Sequence, residues 1–391
     1  MGLYEPAVGR VERIGGSRIG SFVSAKAPIR HVDVTLLFAA LALTAYGNLM
    51  VYAASRTRLV ADGLPERFLV NRQLLFSAVG IGVMVLLTSF SYRRLKAWGP
   101  LVYLAGAGAL VVVLTGIGTS VAGAQRWINL GFFQFQPSEF MKLGVLVVVA
   151  LILADRQGYP TWTDAMRVLF LVGIPSVLIY LQPDLGTLLV LIAVAAGALV
   201  VAGLRARVLL VIVAIAAVSV FGILQLGVLK DYQVARLTAF LDPSQDLQRT
   251  GYNLNQARIG IGSGQLMGKG LFSGSQTNLE FVPEVRTDFI FVAVGEKLGF
   301  VGAVALLGLF ALFLWRGIRI AMLSKELFGT LLAAGVVTMI GFQMFINIGM
   351  TLGVSPITGI PLPFVSFGGS SLITTFAATG ILLNIHMRRF V

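Results

Sequence analysis

Residues 281–315 read FVPEVRTDFIFVAVGEKLGFVGAVALLGLFALFLW, and this stretch decides the class of fold. Proline and three charged residues, Glu284, Arg286 and Asp288, lead directly into an apolar run that continues to Trp315. As a helix rising about 1.5 Å per residue, the run is long enough to cross the ~30 Å hydrocarbon core of a bilayer. A carboxylate at the lip of such a run stands where a chain enters an apolar medium.

The composition extends this reading to the whole chain. Of 391 residues, 57% are hydrophobic and 12% charged, a balance that no soluble core of this size needs. Apolar runs lie near 34–54, 69–90, 99–121, 139–154, 168–182, 184–203, 208–229, 288–315, 327–350 and 371–387. They predict an all-α, polytopic membrane protein with ten transmembrane helices. An even number of crossings places both ends on one side. The basic residues of that side include Arg10, Arg30, Arg93, Arg94, Lys96, Arg156, Arg167, Arg205, Arg316, Arg319, Arg388 and Arg389, which assigns both termini to the cytoplasm. Residues 1–32 are polar and basic, without the apolar core and cleavage pattern of a signal peptide, and read as a cytoplasmic tail before the membrane domain 33–391. The net charge of +13 fits basic loops facing anionic lipid, so nucleic acid is not an expected partner.

Residues 230–287, between the seventh and eighth runs, form the longest connection, expected on the outer side. Its glycine-rich segment GIGSGQLMGKG (260–270) is semi-apolar, which predicts a folded, membrane-hugging loop in place of a polar linker.

Several chemistries are excluded. The chain has no cysteine, so thiolate nucleophiles, disulfides and Cys-based metal sites are absent, and its two histidines, His31 and His386, flank the terminal spans. GSGQLMGKG lacks the spacing of a P-loop, GIGSG has no preceding strand to make it a dinucleotide fingerprint, and neither HExxH nor a nucleophile elbow is present. Carboxylates are left as the bases.

Four helix-start signals lie on the expected outer face: QPSEFMK (136–142), QPDLGT (182–187), RTDFIF (286–291) and FGGSSL (367–372). Helix N-termini present unpaired N–H groups and positive dipole ends, so several converging on one cavity would attract an anion such as a phosphate; each could equally be a cap and nothing more. Ionisable groups at membrane depth are costly and tend to mark partners or pathways, which singles out Glu139, Lys142, Asp184, Asp288, Glu296 and Lys297. Glu139 and Lys142 can pair at i,i+3, whereas Glu296 and Lys297 are adjacent and each needs a partner from another helix.

Together, GAQRWINLGFFQFQPSEFMKL (123–143), LQPDLGT (181–187), LEFVPEVRTDFIF (279–291) and NIGMTLGVSPITGIPLPFVSFGGSSL (347–372) resemble the SEDS family of shape, elongation, division and sporulation proteins. The four motifs fall in the family's order over nearly all the chain after residue 33, and NIGMT is nearer the elongation than the division branch. The resemblance implies a multi-pass peptidoglycan glycosyltransferase of the bacterial inner membrane. Such an enzyme polymerises lipid II at the outer leaflet into β-1,4 glycan strands with release of undecaprenyl pyrophosphate, and works with a class B penicillin-binding protein in the cell-elongation complex. It also implies that Asp288, in T-D-F-I-F, is the essential aspartate, that Glu280 is a second functional acid, and that Arg126 and Trp127 belong to the motif of the second outer loop. Two positions depart from the pattern: Arg286 replaces the usual histidine, and Lys297 follows Glu296 where two glutamates are usual.

An α-linked donor and a β-linked product require inversion, hence a base for the acceptor hydroxyl and a stabiliser for the departing pyrophosphate. The expected base is Asp288, with Glu280 to orient Asp288, the acceptor or a cation. Arg126, Lys142, Arg236 and Arg286 are candidates for the pyrophosphate, with Glu139, Asp184 and Trp127 in the same substrate-binding set. A divalent cation is a further candidate for that task, although no complete ligand set is legible. The rival class is a lipid II flippase or transporter using the same cavity, since polar helix breaks also mark carriers. A scaffold without activity would leave the acidic motif unexplained.

Overall fold

The computed structural model describes residues 31–121, 124–131, 133–156, 158–225, 250–279 and 281–389. Every apolar run becomes a helix: α1 (Val34–Ala61), α2 (Phe68–Ser89), α3 (Arg94–Leu114), α4 (Pro137–Ala154), α5 (Trp162–Leu181), α6 (Leu185–Val201), α7 (Ala206–Gln225), then α10 (Ile290–Met322), α11 (Leu327–Leu352) and α12 (Gly369–Arg388). Eight of them are long and apolar enough to cross a membrane, and α6 and the stretch Ala206–Ile215 of α7 are shorter apolar helices. The loop before α10 carries two more helices, α8 (Thr250–Ser263) and α9 (Ser275–Asn278). The described part of the 230–287 connection is therefore folded, as expected.

Local chemistry explains several boundaries. Asp33 caps α1 by accepting from Leu36 N at 3.0 Å. Thr161 and Asp164 form a capping box on α5, with Thr161 N donating to Asp164 Oδ2 at 2.9 Å.

The all-α expectation needs one amendment, a three-stranded antiparallel sheet in the order β1 (Gly118–Val121), β2 (Ala124–Asn129), β3 (Gln134–Phe135). The run expected to be helical to residue 121 leaves the helix after Leu114. Gln125 Nε2 donates to Thr115 O at 2.6 Å and to Gly118 O at 3.2 Å, satisfying carbonyls that a longer helix would have bonded internally.

The eighth apolar run is also not one straight helix. At Gly299 the backbone takes φ +64° and ψ −159°, which breaks α10 into a stub, Ile290–Leu298, and a long arm from Phe300 onward. The 23 residues of the arm span about 34 Å and can cross the bilayer alone. A turn of the preceding loop fills the break. Glu296 O and Lys297 O accept from Lys269 N and Gly270 N, both at 3.0 Å. Phe300 N and Val301 N donate to Gln265 O at 2.8 Å and Leu266 O at 3.1 Å.

This insertion also bears on the expectation for the adjacent charges. Glu296 accepts from Gln276 N at 2.9 Å and Thr277 N at 2.8 Å, and meets Lys269 Nζ at 3.4 Å. Lys297 Nζ donates to Asn278 Oδ1 at 2.8 Å. Gln276, Thr277 and Asn278 all belong to the short helix α9 and Lys269 to the turn before it, so the other helix that each charge needed is α9 and not a second long span.

At the opposite end, Asp33 bonds Arg316 of α10, with Nε at 3.0 Å, and stands 3.7 Å from His386 Nδ1 of α12. The start of α1 and the end of α12 thus lie on one face of the bundle, as an even number of crossings would require.

Candidate functional site

The segment 354–368, VSPITGIPLPFVSFG, runs between α11 and α12, and all four predicted helix starts meet it or its continuation. Gln136 N, before α4, donates to Ser370 Oγ at 3.0 Å, and that hydroxyl donates to Gln134 O at 3.1 Å. At the start of α6, Gly186 is pressed against Ile360, where an added Cβ would stand 2.6 Å from Cγ1 and 3.0 Å from Thr358 O. The segment approaching α10 is fixed at three successive carbonyls. Phe367 N donates to Arg286 O at 2.9 Å, Ser366 Oγ to Thr287 O, and Asn347 Nδ2 to Asp288 O at 2.8 Å. Asn347 also donates to Ile360 O at 2.7 Å, and Ser366 Oγ accepts from Leu362 N at 2.8 Å. The fourth start, α12, is the end of this segment itself.

Asp288 is half-buried and lies against the segment: a Cβ on Gly359 would stand 3.2 Å from Asp288 Oδ2. Gly359 takes φ +74°, a conformation costly for any residue with a side chain, so glycine both turns the chain and leaves the carboxylate its room. Asp288 stands one residue before the cap position of α10. The cap position is Phe289, with no side-chain bond, and the turn before it closes through Phe289 N to Glu284 O at 3.2 Å.

The other predicted residues divide into two groups. Asp184 caps α6, accepting from Thr187 N at 3.3 Å and Thr187 Oγ1 at 2.9 Å, and it also receives Ser138 Oγ at 3.2 Å and Gln136 Nε2 at 3.3 Å. Arg126, on β2, donates through Nε to Gln182 O at 3.1 Å and through its terminal nitrogen to Pro183 O, and stands 3.8 Å from Asp184 Oδ1. It thereby ties the sheet to the α5–α6 turn, occupying carbonyls left open at the end of α5. Trp127 sits beside it on β2, partly buried and opposite Thr119. Glu139 and Lys142 form a 2.7 Å ion pair within α4, both side chains 2% exposed.

Arg286 is on the Asp288 side. It lines a cavity of about 130 Å³ with Arg58 of α1, Thr277 and Glu284. Glu284 accepts from Thr287 Oγ1 at 3.0 Å. Glu280 and Arg236 lie outside the described residues. Among the described residues no three Asp, Glu or His side chains assemble as a metal site.

Sequence reasoning missed three contributors. Arg58, near the end of α1, lies in none of the four motifs. Asn347 was quoted only within a motif, although a buried amide in an apolar helix is itself a signal that backbone nearby needs a donor. Gln73, fully buried in α2, donates to Ser366 O at 3.1 Å and accepts from Gly368 N at 3.5 Å, holding the segment from the other side.

Comparison with known proteins shows the family and the fold. Peptidoglycan glycosyltransferase MrdB of Escherichia coli K12 is 38% identical over 360 residues, covering 92% of this chain and 94% of its own. A chain from a peptidoglycan synthase complex, solved to show the structural coordination of polymerization and crosslinking, superposes with TM-score 0.77 at 34% identity, over 92% of this chain and 98% of that one. The rod shape determining protein RodA of Thermus thermophilus superposes with TM-score 0.68 at 31% identity, over 92% and 98%. The family model of the cell cycle proteins FtsW, RodA and SpoVE matches residues 34–390. The chain, a multi-pass protein of the inner membrane, therefore belongs to the FtsW, RodA and SpoVE family, the shape, elongation, division and sporulation family that its motifs resembled.

Proposed function

We propose that the protein is a peptidoglycan glycosyltransferase of cell elongation. On this reading it polymerises lipid II at the outer leaflet into β-1,4 glycan strands, releases undecaprenyl pyrophosphate, and acts beside a class B penicillin-binding protein. The observation that carries the reading is the placement of Asp288: its backbone is pinned at three carbonyls where four helix starts converge, on a chain 38% identical to a named peptidoglycan glycosyltransferase. The structural likeness to a chain of a peptidoglycan synthase complex supports the partnership.

In the proposed reaction the Asp288 carboxylate takes the proton from the acceptor's 4-hydroxyl. The oxygen attacks the donor's anomeric carbon on the face opposite its phosphate, so the configuration inverts. The carbon–oxygen bond to the diphosphate breaks, and its electron pair leaves with the diphosphate. Arg286 and Arg58, which line one small cavity, are the guanidiniums we assign to that charge. Arg126 and Lys142 act at one remove, since Arg126 bonds the α5–α6 turn and Lys142 pairs with Glu139. Glu280 and Arg236 remain proposals for the acid that orients Asp288 and for a further phosphate contact.

The test is polymerisation of purified lipid II by the reconstituted protein with its penicillin-binding partner. Asp288→Asn keeps shape and removes the base, and the expected loss is about 10²- to 10⁴-fold, the usual worth of a general base. Near wild-type glycan synthesis by that variant would remove Asp288 from this role. No polymer from wild type, with lipid II transfer across vesicles, would favour the flippase.

A further inference from the structure

The glycine-rich turn that fills the break in α10 has no task in the proposed chemistry, yet it is among the most specifically built parts of the chain. Four backbone bonds join Gln265, Leu266, Lys269 and Gly270 to both sides of the break at Gly299. A side chain at Gly268 would strike Lys297 O, and one at Gly264 would strike Gly295 O. Carbonyls and amides that a broken helix would leave open are thus satisfied by protein, the condition for irregular backbone at membrane depth. Lys269, the turn's only charge, points back to Glu296 at 3.4 Å.

The tip faces the other way. Leu266 and Met267 are 67% and 78% exposed, beside Phe300 and Val301 at 62% and 52%. The exposed stripe continues down the arm of α10 through Val304 and Leu307, the face of a membrane-crossing helix. Depth follows from helix geometry. Trp315 and Arg316 mark the inner boundary, and Phe300 lies sixteen residues before Arg316, about 24 Å along the helix. The hydrocarbon core is ~30 Å thick, so Phe300, and the tip bonded beside it, fall roughly 6 Å inside the outer boundary.

We propose that residues 264–270 form a membrane wedge, with Leu266 and Met267 inserted among the acyl chains of the outer leaflet. The occupant of this apolar surface is lipid, because it is continuous with the lipid-facing stripe of α10, and the turn's one charge is already paired with Glu296.

The absence of cysteine makes the test direct. Leu266→Cys and Met267→Cys are each labelled with a bimane fluorophore in the full chain, reconstituted without partner into phosphatidylethanolamine–phosphatidylglycerol vesicles. Ala61→Cys, at the outer end of α1, is the aqueous reference, and Leu307→Cys, on the arm, is the lipid reference. Thermal unfolding in detergent confirms that each labelled protein is folded. The expected result is quenching by nitroxide-labelled phospholipid within about twofold of the Leu307 label, and iodide quenching roughly fivefold weaker than at Ala61, as for a side chain below the headgroups. Iodide access at both tip positions equal to that at Ala61 overturns the wedge. Labels shielded from iodide and from lipid nitroxide alike would mean that protein covers the tip, and would overturn it too.

Discussion

Asp288 is held by its neighbours' backbone bonds as much as by its own helix. The carbonyls of Arg286, Thr287 and Asp288 receive donors from Phe367, Ser366 and Asn347, residues 59 to 81 positions away in the chain. A base held this firmly needs little reorganisation to meet a hydroxyl, which is the condition for positional catalysis. Asn347→Leu keeps the volume and leaves Asp288 O and Ile360 O without that donor, at a cost of about 1–3 kcal/mol for each carbonyl left buried. We expect a lower melting temperature together with a drop in polymerisation turnover, read side by side in a thermal shift and a lipid II assay. A variant that loses stability but keeps full turnover would show that Asn347 holds the fold and not the base. Gly359→Ala introduces a carbon 3.2 Å from Asp288 Oδ2 at a left-handed backbone position, and the same assay should show reduced turnover.

At the scale of elements, the break in α10 and the turn that fills it are one unit. Gly299 supplies the left-handed residue, and the loop supplies donors and acceptors for the opened turn of helix. Gly299→Ala must either strain the backbone by about 1–2 kcal/mol or straighten the helix, and its added carbon also meets Gly268 N and Leu266 O. The expected outcome is a clear fall in melting temperature and faster proteolysis within 264–279, seen by mass spectrometry of the fragments. Protection equal to wild type would mean that the turn does not depend on the break. The position of the break was not legible beforehand. A glycine inside an apolar run is common in membrane helices, and nothing local separates Gly299 from Gly302 or Gly308.

For the whole molecule, the decisive contacts bind the ends together. Asp33 caps α1 while bonding Arg316 and standing beside His386, so the first, eighth and last spans are joined at one buried carboxylate, 1% exposed in its side chain. Arg316→Gln strips most of the compensating charge from Asp33 and should destabilise by about 3–5 kcal/mol. Asp33→Asn together with Arg316→Gln should cost less than the sum of the two single changes, as expected for partners in one network. Thermal unfolding of the four proteins in detergent measures this cycle, and simple additivity would show that the pair is not coupled.

Hydrophobicity is a local property of the chain, and it was enough to place ten apolar helices, with ends up to seven residues off, and Asp288 just before the stub of α10. The motifs likewise announced the family, because they are contiguous. The pairing of charges was decided elsewhere. Glu296 and Lys297 are satisfied by α9 and the loop that carries it, Arg126 closes a helix end, and Glu139 and Lys142 neutralise each other. A buried charge takes whatever partner the fold brings within hydrogen-bond reach, and that proximity exists only after the helices have packed.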